Sequence, residues 1–220
     1  ASPAPPLAGL RILDLTRVLA GPIATRTLAG FGAEVLRIDP PGWDEPGVIP
    51  DISLGKSCAY LDLRARPDRD RFEALLSEAD VLVHGYRPGA LDGLGYDLET
   101  REKMAPNLIE TSLNAYGWTG PWATRRGFDS LVQMSSGLAD AGRAWAGATA
   151  PTPLPVQALD HATGYLLAAS VLSAPRAAAR GPPVPQSRLA LAPTAPLPGR
   201  PRPLTHTDPA TPRGQGAAAW

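Results

Sequence analysis

Between Leu10 and Leu113, short runs rich in leucine and β-branched residues alternate with segments of helical pattern, and this alternation limits the fold most tightly. The run LRILDLT, from Leu10, has the length of one strand. A Gly-Pro pair lies in the helical segment AGPIATRTLAGFG, and AEVLRID follows as a second strand. Pro22 suits a first helical turn, where its missing N–H is not needed, and Gly30 and Gly32 suit the exit. The pattern then recurs as CAYLDL, the helical PDRDRFEALLSEA, the strand DVLVHGY, a short helical GALDGLG, a helix around Glu99 to Met104, and the strand NLIETSL. Strands separated by helices imply an α/β fold with a parallel sheet covered on both faces.

The regularity ends near Ser173. Residues 175–220 are rich in Pro, Ala and Arg, with Asp208 the only acid, and lack the apolar periodicity that offsets chain entropy. An irregular or disordered tail is expected there, with SRLALAPTA a short strand or helix remnant. With 44% of its 220 residues apolar, the chain can bury a real core over most of its length. Lys and Arg number 21 and so do Asp and Glu, so no nucleic-acid or membrane partner is expected, although a local arginine cluster could hold a phosphate. Ala1 to Pro6 lacks the parts of a signal peptide, and no apolar run approaches the roughly 20 residues of a bilayer span. These features point to a cytoplasmic protein. A lone cysteine and three scattered histidines form no metal pattern, so no metal site is expected and Cys58 reads as a small buried hydrophobe.

Ligands of open α/β sheets bind at the carboxyl ends of strands, which directs attention to the turn Thr16-Arg17-Val18-Leu19-Ala20-Gly21-Pro22. Arg17 there is either a phosphate partner, helped by the N–H groups opening the next helix, or a surface arginine beside a helix end. Asp160, in PVQALDHATG just ahead of an apolar helical run, has the place of a structural cap. The helix dipole and free N–H groups would also keep it ionised and nucleophilic.

The segment LAGLRILDLTRVLAGPIATRTLAGFGAEVLRIDPP resembles the opening of class III CoA-transferases, the family of formyl-CoA transferase, carnitine CoA-transferase-like proteins and α-methylacyl-CoA racemase. KSCAYLDL, VLVHGYRPGALDGLGYD, SLNAYGWTGPWATRRGFDSLVQMSSGL and VQALDHATGYLLAASVLSA are similar to later family segments in the same order. The resemblance covers roughly residues 7–174. It implies a Rossmann-like large domain over residues 1–174, and an acyl-CoA and a carboxylic acid as partners. CoA enters as a thioester substrate, and no resident cofactor is expected. Members are about twice this length, with a second, smaller domain and interlocked homodimers.

Residue by residue, the resemblance makes Asp160 the catalytic carboxylate, which attacks an acyl-CoA thioester and later carries CoA itself. It implies CoA contacts from Arg17, Val18, Ala20, Leu61, Arg64, Gly85 and Tyr86, and places Asn114 and Tyr116 at the border of the active site. Formyl-CoA transferases carry a Gln where this chain has Leu19, which counts against an oxalate and formate pairing. Racemases of the family carry a proton-transferring His where this chain has Phe128, and a phenyl ring cannot carry protons. Asp129 reads as structural, bonding the backbone at the start of its helix. His84 reads as a strand-end residue. His161 need not share a site with Asp160, since adjacent helical residues diverge by about 100°. Three readings stay open: a CoA-transferase, an inactive CoA-binding fragment, and a racemase.

Overall fold

The structure, a computed structural model, describes residues 3–178 and 186–195. Six strands form one parallel sheet: β1 (Arg11–Leu15), β2 (Glu34–Asp39), β3 (Lys56–Tyr60), β4 (Val81–His84), β5 (Ile109–Asn114) and β6 (Gln186–Ala190). Their order across the sheet is β3-β2-β1-β4-β5-β6. The chain therefore reverses its direction of travel between β1 and β4, and a crevice opens at the carboxyl ends of the strands at that point.

Side-chain alternation assigns each strand residue to a face. Ile12, Val35, Val81, Val83 and Ile109 share one core with Ala24 and Leu28 of α1 (Ala20–Gly30). That core also holds Leu167, Ala168, Val171 and Ala174 of α7 (Ala158–Ala178). Leu13, Leu15, Ile38 and Leu82 face the other way, onto Phe72 and Leu76 of α3 (Arg66–Glu78) and onto Tyr96, Ala105 and Leu108. Each fully buried Leu, Ile or Phe in these cores contributes about 1.5–3 kcal/mol of transfer free energy. The remaining helices are α2 (Ile49–Ile52), α4 (Leu98–Met104), α5 (Asp129–Ser135), α6 (Leu138–Ala146) and α8 (Leu191–Thr194).

Helices α1 and α7 lie in close contact because Gly164 has no side chain. A Cβ there would stand 2.6 Å from the Ala20 carbonyl oxygen and 2.9 Å from Ile23 Cγ2. Helix α1 ends at Gly30, and Gly32, with φ +98°, lets the chain turn into β2.

Two expectations need correction. Cys58 is exposed, not buried, because β3 is an edge strand with little packed over that face. The boundary at residue 174 falls inside α7, and beyond it Gln186–Ala190 pairs with β5 while Leu191–Thr194 forms a helical turn. The segment SRLALAPTA thus supplies both a strand and a helical turn. The rest of the segment read as an irregular tail, residues 179–185 and 196–220, lies outside the described residues. Among the described residues no helix is long and apolar enough to cross a membrane.

Candidate active site

A cleft of about 890 Å3 occupies the crevice at the switch point. The turns after β1 and β4 form its middle, residues 61–64 one end, and residues 113–115 with Asp160 and Leu191 the other.

The turn after β1 is fixed from below. Asp14 is fully buried, and its Oδ1 accepts the Thr16 N–H at 2.9 Å and the Thr16 hydroxyl at 2.5 Å. Its Oδ2 accepts the Thr25 hydroxyl at 2.5 Å and Lys56 Nζ at 2.9 Å. Lys56 also donates to Thr25 Oγ1 and the Pro22 carbonyl. Burial pulls the Lys56 ammonium below the ordinary lysine range, against the pull of Asp14 in the other direction. A Cβ on Gly21 would stand 2.3 Å from Thr16 Cβ, so glycine lets the turn fold onto the first turn of α1. Val18 within this turn has φ 66°.

Arg17 reaches across the cleft mouth. Its guanidinium carbon lies 4.4 Å from the Trp43 ring centroid and 5.6 Å from that of Tyr86, and Nη2 stands 3.4 Å from the Tyr86 hydroxyl. The aromatic faces stiffen a long side chain while its fork of donors stays available to an anion. Arg64, Arg87, Arg125 and Arg126 line the same cleft, so five arginines surround it.

Asp160 is third in α7 and 6% exposed. Its backbone N–H donates to Asp129 Oδ2 at 2.9 Å. Asp129 is held in turn by Gln133, whose amide also donates to the Val156 carbonyl at 3.1 Å and accepts the Leu154 N–H at 2.7 Å. The Asp129–Gln133 pair on α5 therefore pins both the start of α7 and the strap leading into it. Burial first, and the neighbouring Asp129 carboxylate second, push the Asp160 carboxyl up to about 7. This corrects the expectation that the helix start would keep Asp160 readily ionised: desolvation and like charge act in the opposite direction. Asp129 does bond a helix start, but that of α7; at its own helix, α5, no side chain caps the amino end.

Arg17, Val18, Ala20, Leu61, Arg64, Gly85, Tyr86, Asn114 and Asp160 all line the one cleft. Asn114 does so with both ends of its amide engaged by Gly117, at 2.8 and 2.7 Å. Tyr116 is not in the lining. Its hydroxyl pairs with Ser135 Oγ at 3.0 Å and its ring meets Trp122 edge-on at 5.1 Å. Phe128 lines the cleft and is 64% exposed.

His84 closes β4 outside the lining, with Nε2 3.2 Å from Glu110 Oε1. Burial would raise the Glu110 carboxyl, but bonds from His84 and Arg101 outweigh it and hold the group down at about 2. His161 is also outside the lining.

Sequence reading missed Trp43, Arg87, Arg125, Arg126 and Leu191. Arg87 lay in plain view beside Tyr86, and the arginine pair sits directly before the GFD segment. Nothing in the turn-rich PPGWDEPG marked Trp43.

An open parallel sheet, with a crevice at its switch point lined by five arginines and a nearly buried carboxyl, defines the α/β class to which the chain belongs. Residues 7–184 match CoA-transferase family III, and the chain belongs to that family. It is 35% identical over 178 residues to acetyl-coenzyme A transferase nodX of Hypoxylon pulicicidum, covering 79% of this chain and 30% of that protein. It is 32% identical over 193 residues to the probable fatty acyl-CoA transferase Rv3272 of Mycobacterium tuberculosis, covering 79% and 47%. The crystal structure of Rv3272 superposes with a TM-score of 0.77 over 88% of this chain and 55% of that one. A CAIB/BAIF family protein from Brucella suis gives 0.76 at 28% identity, over 87% of this chain and 55% of that one. The chain thus spans 30% and 47% of the length of these two curated relatives.

Proposed function

We propose that this chain carries the nucleophile and much of the CoA site of an acyl-CoA:carboxylate CoA-transferase. The observation that carries the reading is Asp160: a nearly buried carboxyl in the lining of a cleft that five arginines also line. Arginine forks suit the phosphates of CoA, and a cleft of about 890 Å3 with Asp160 in its lining has room for a thioester that reaches that carboxyl. An acid near 7 is a stronger nucleophile when ionised than an ordinary aspartate, and it is still largely ionised in mildly alkaline solution.

In the proposed sequence an ionised Asp160 oxygen attacks the thioester carbonyl, the C–S bond breaks, and CoA leaves as thiolate with a mixed anhydride behind it. The thiolate attacks the aspartyl carbonyl, which expels the first acid as carboxylate and leaves an aspartyl-CoA thioester. The acceptor carboxylate displaces the thiolate from that thioester to form a second anhydride. Attack by the thiolate on its acyl carbonyl then yields the new acyl-CoA and frees Asp160. Burial of Asp160 keeps water from the anhydride.

CoA thioester is substrate here, with no resident cofactor proposed. We propose the homodimer of the family and a cytoplasmic setting on the same footing. Phe128 stands against a racemase, since a phenyl ring cannot carry a proton.

The test is mass spectrometry of the intact protein with acetyl-, propionyl-, succinyl- and benzoyl-CoA, with hydroxylamine trapping and an Asp160→Ala control. An adduct mapped to Asp160 and lost in the control is the expected result. CoA binding by calorimetry with no adduct from any donor would leave a binding module only.

A further inference from the structure

Among the described residues, Val18 alone combines a side chain with a positive φ, 66°. A β-branched residue in this left-handed region is strained, because its Cβ crowds the following carbonyl. Such a conformation persists only where the surroundings hold it, and strain of this kind collects at functional turns. Here the turn opens α1, whose amino end has no side-chain cap, and Val18, Leu19 and Ala20 all line the cleft.

One side chain holds the strained residue. The Val18 N–H donates to the Glu45 carboxylate, 3.1 Å from Oε1 and 3.3 Å from Oε2. Glu45 is itself anchored at both ends. Its carbonyl accepts the Val48 and Ile49 N–H groups at the start of α2, each at 3.0 Å. Its carboxylate accepts Arg37 Nη2 at 3.3 Å, and Arg37, 1% exposed in its side chain, reaches Asp39 through Nε at 2.7 Å. Two residues earlier, Trp43 lies under the Arg17 guanidinium. The segment between β2 and α2 is therefore a strap that meets the catalytic-side turn at two adjacent residues.

We propose that Glu45 is a positioning residue: it holds the Val18 peptide in its strained shape and so keeps Arg17 and the amino end of α1 aimed into the cleft. Its kinetic consequence rests on the CoA-transferase reading; its structural claim does not. Arg37, which Glu45 shares with Asp39, supplies positive charge beside the Glu45 carboxylate and so reduces its repulsion of an anionic ligand.

The test is a double-substitution cycle at Glu45 and Val18, because glycine takes φ near +66° without strain and needs no restraint to stay there. Amide hydrogen exchange at residue 18 is read in the free protein by NMR, and Asp160 labelling by the same four acyl-CoA donors is read as a rate. Glu45→Ala is expected to speed exchange at Val18 at least tenfold and to slow labelling at least tenfold. In the Val18→Gly background the same substitution is expected to slow labelling less than threefold. Glu45→Gln, which keeps a carbonyl oxygen for the Val18 N–H, is expected to hold exchange within threefold of wild type. Unchanged exchange at the buried Leu76 and Leu82 amides shows that each variant is folded.

Exchange at Val18 unmoved by Glu45→Ala overturns the proposal. So does an equal loss of labelling in both backgrounds, which would make Glu45 a general support of the strap. Should the unsubstituted protein form no adduct with any donor, the CoA-transferase reading falls and the exchange result alone decides whether Glu45 holds the turn.

Discussion

Asp160→Asn removes the proposed nucleophile and should at the same time make the protein more stable, by an amount that depends on pH. Folding takes this carboxyl from its ordinary 3.8 to about 7, through burial and through the Asp129 carboxylate. Between those values the folded chain binds more protons at this site than the unfolded chain, so stability falls as pH rises. The stabilising contribution of the protonated acid is thus complete below about pH 4 and lost as pH passes about 7. A gap of about three pH units, at about 1.4 kcal/mol each, sets a ceiling of about 4 kcal/mol. Relaxation and water entry roughly halve such terms in proteins, which leaves about 2 kcal/mol. The asparagine is neutral at every pH, keeps the backbone bond to Asp129, and escapes this loss. For a chain of this size about 2 kcal/mol corresponds to about 4–8 °C in Tm. Paired melts of the two proteins should show little difference at pH 4 and the full gain at pH 8. A difference that is the same at both pH values, or a less stable variant at pH 8, would refute the argument.

Four further outcomes are expected. The rate of Asp160 labelling should rise with pH and level off above about 7, and Asp129→Asn should move the midpoint lower by removing the like charge. Arg17→Lys should weaken CoA binding roughly tenfold or more by calorimetry, because an ammonium cannot stack between Trp43 and Tyr86 or present a fork to phosphate. Gly164→Ala should cost about 1–3 kcal/mol in urea denaturation, since its Cβ meets the Ala20 carbonyl, a backbone atom that cannot swing away. Lys56→Met should cost about 3–5 kcal/mol by leaving Asp14 buried without its cation, and adding Asp14→Asn should recover part of it.

The sheet was legible because period and punctuation carry it: apolar runs of strand length, Pro22 in a first helical turn and Gly32 at an exit. What escaped were properties that depend on which element lies next to which. Cys58 sits in a run that reads like any other strand, and only its place at the sheet edge leaves it exposed. Gln186–Ala190 reads weakly because one short strand in a proline-rich stretch has little local signal, yet β5 offers it five register partners. The site divides in the same way. Residues of the first turn were found from their place after β1, but Trp43 and Glu45, which arrive from the segment after β2, carry no mark in a sequence rich in turns.

Asp160 shows most clearly why local reading fails at a site. Its place in the first turn of a helix argues for an easily ionised carboxylate, and that part of the reasoning remains physically sound. The outcome is reversed first by burial of the carboxyl and then by Asp129, which is 31 positions away in sequence and adjacent in space. The same residue that pins the start of α7 by accepting the Asp160 N–H also repels the Asp160 carboxylate. Fixing the nucleophile in place and adding to its raised pKa thus involve one side chain, the first through an oxygen as acceptor and the second through its charge. Asp129→Asn separates the two, since its amide oxygen can still accept the Asp160 N–H while the charge is gone, so the pH midpoint should fall with the start of α7 kept in order.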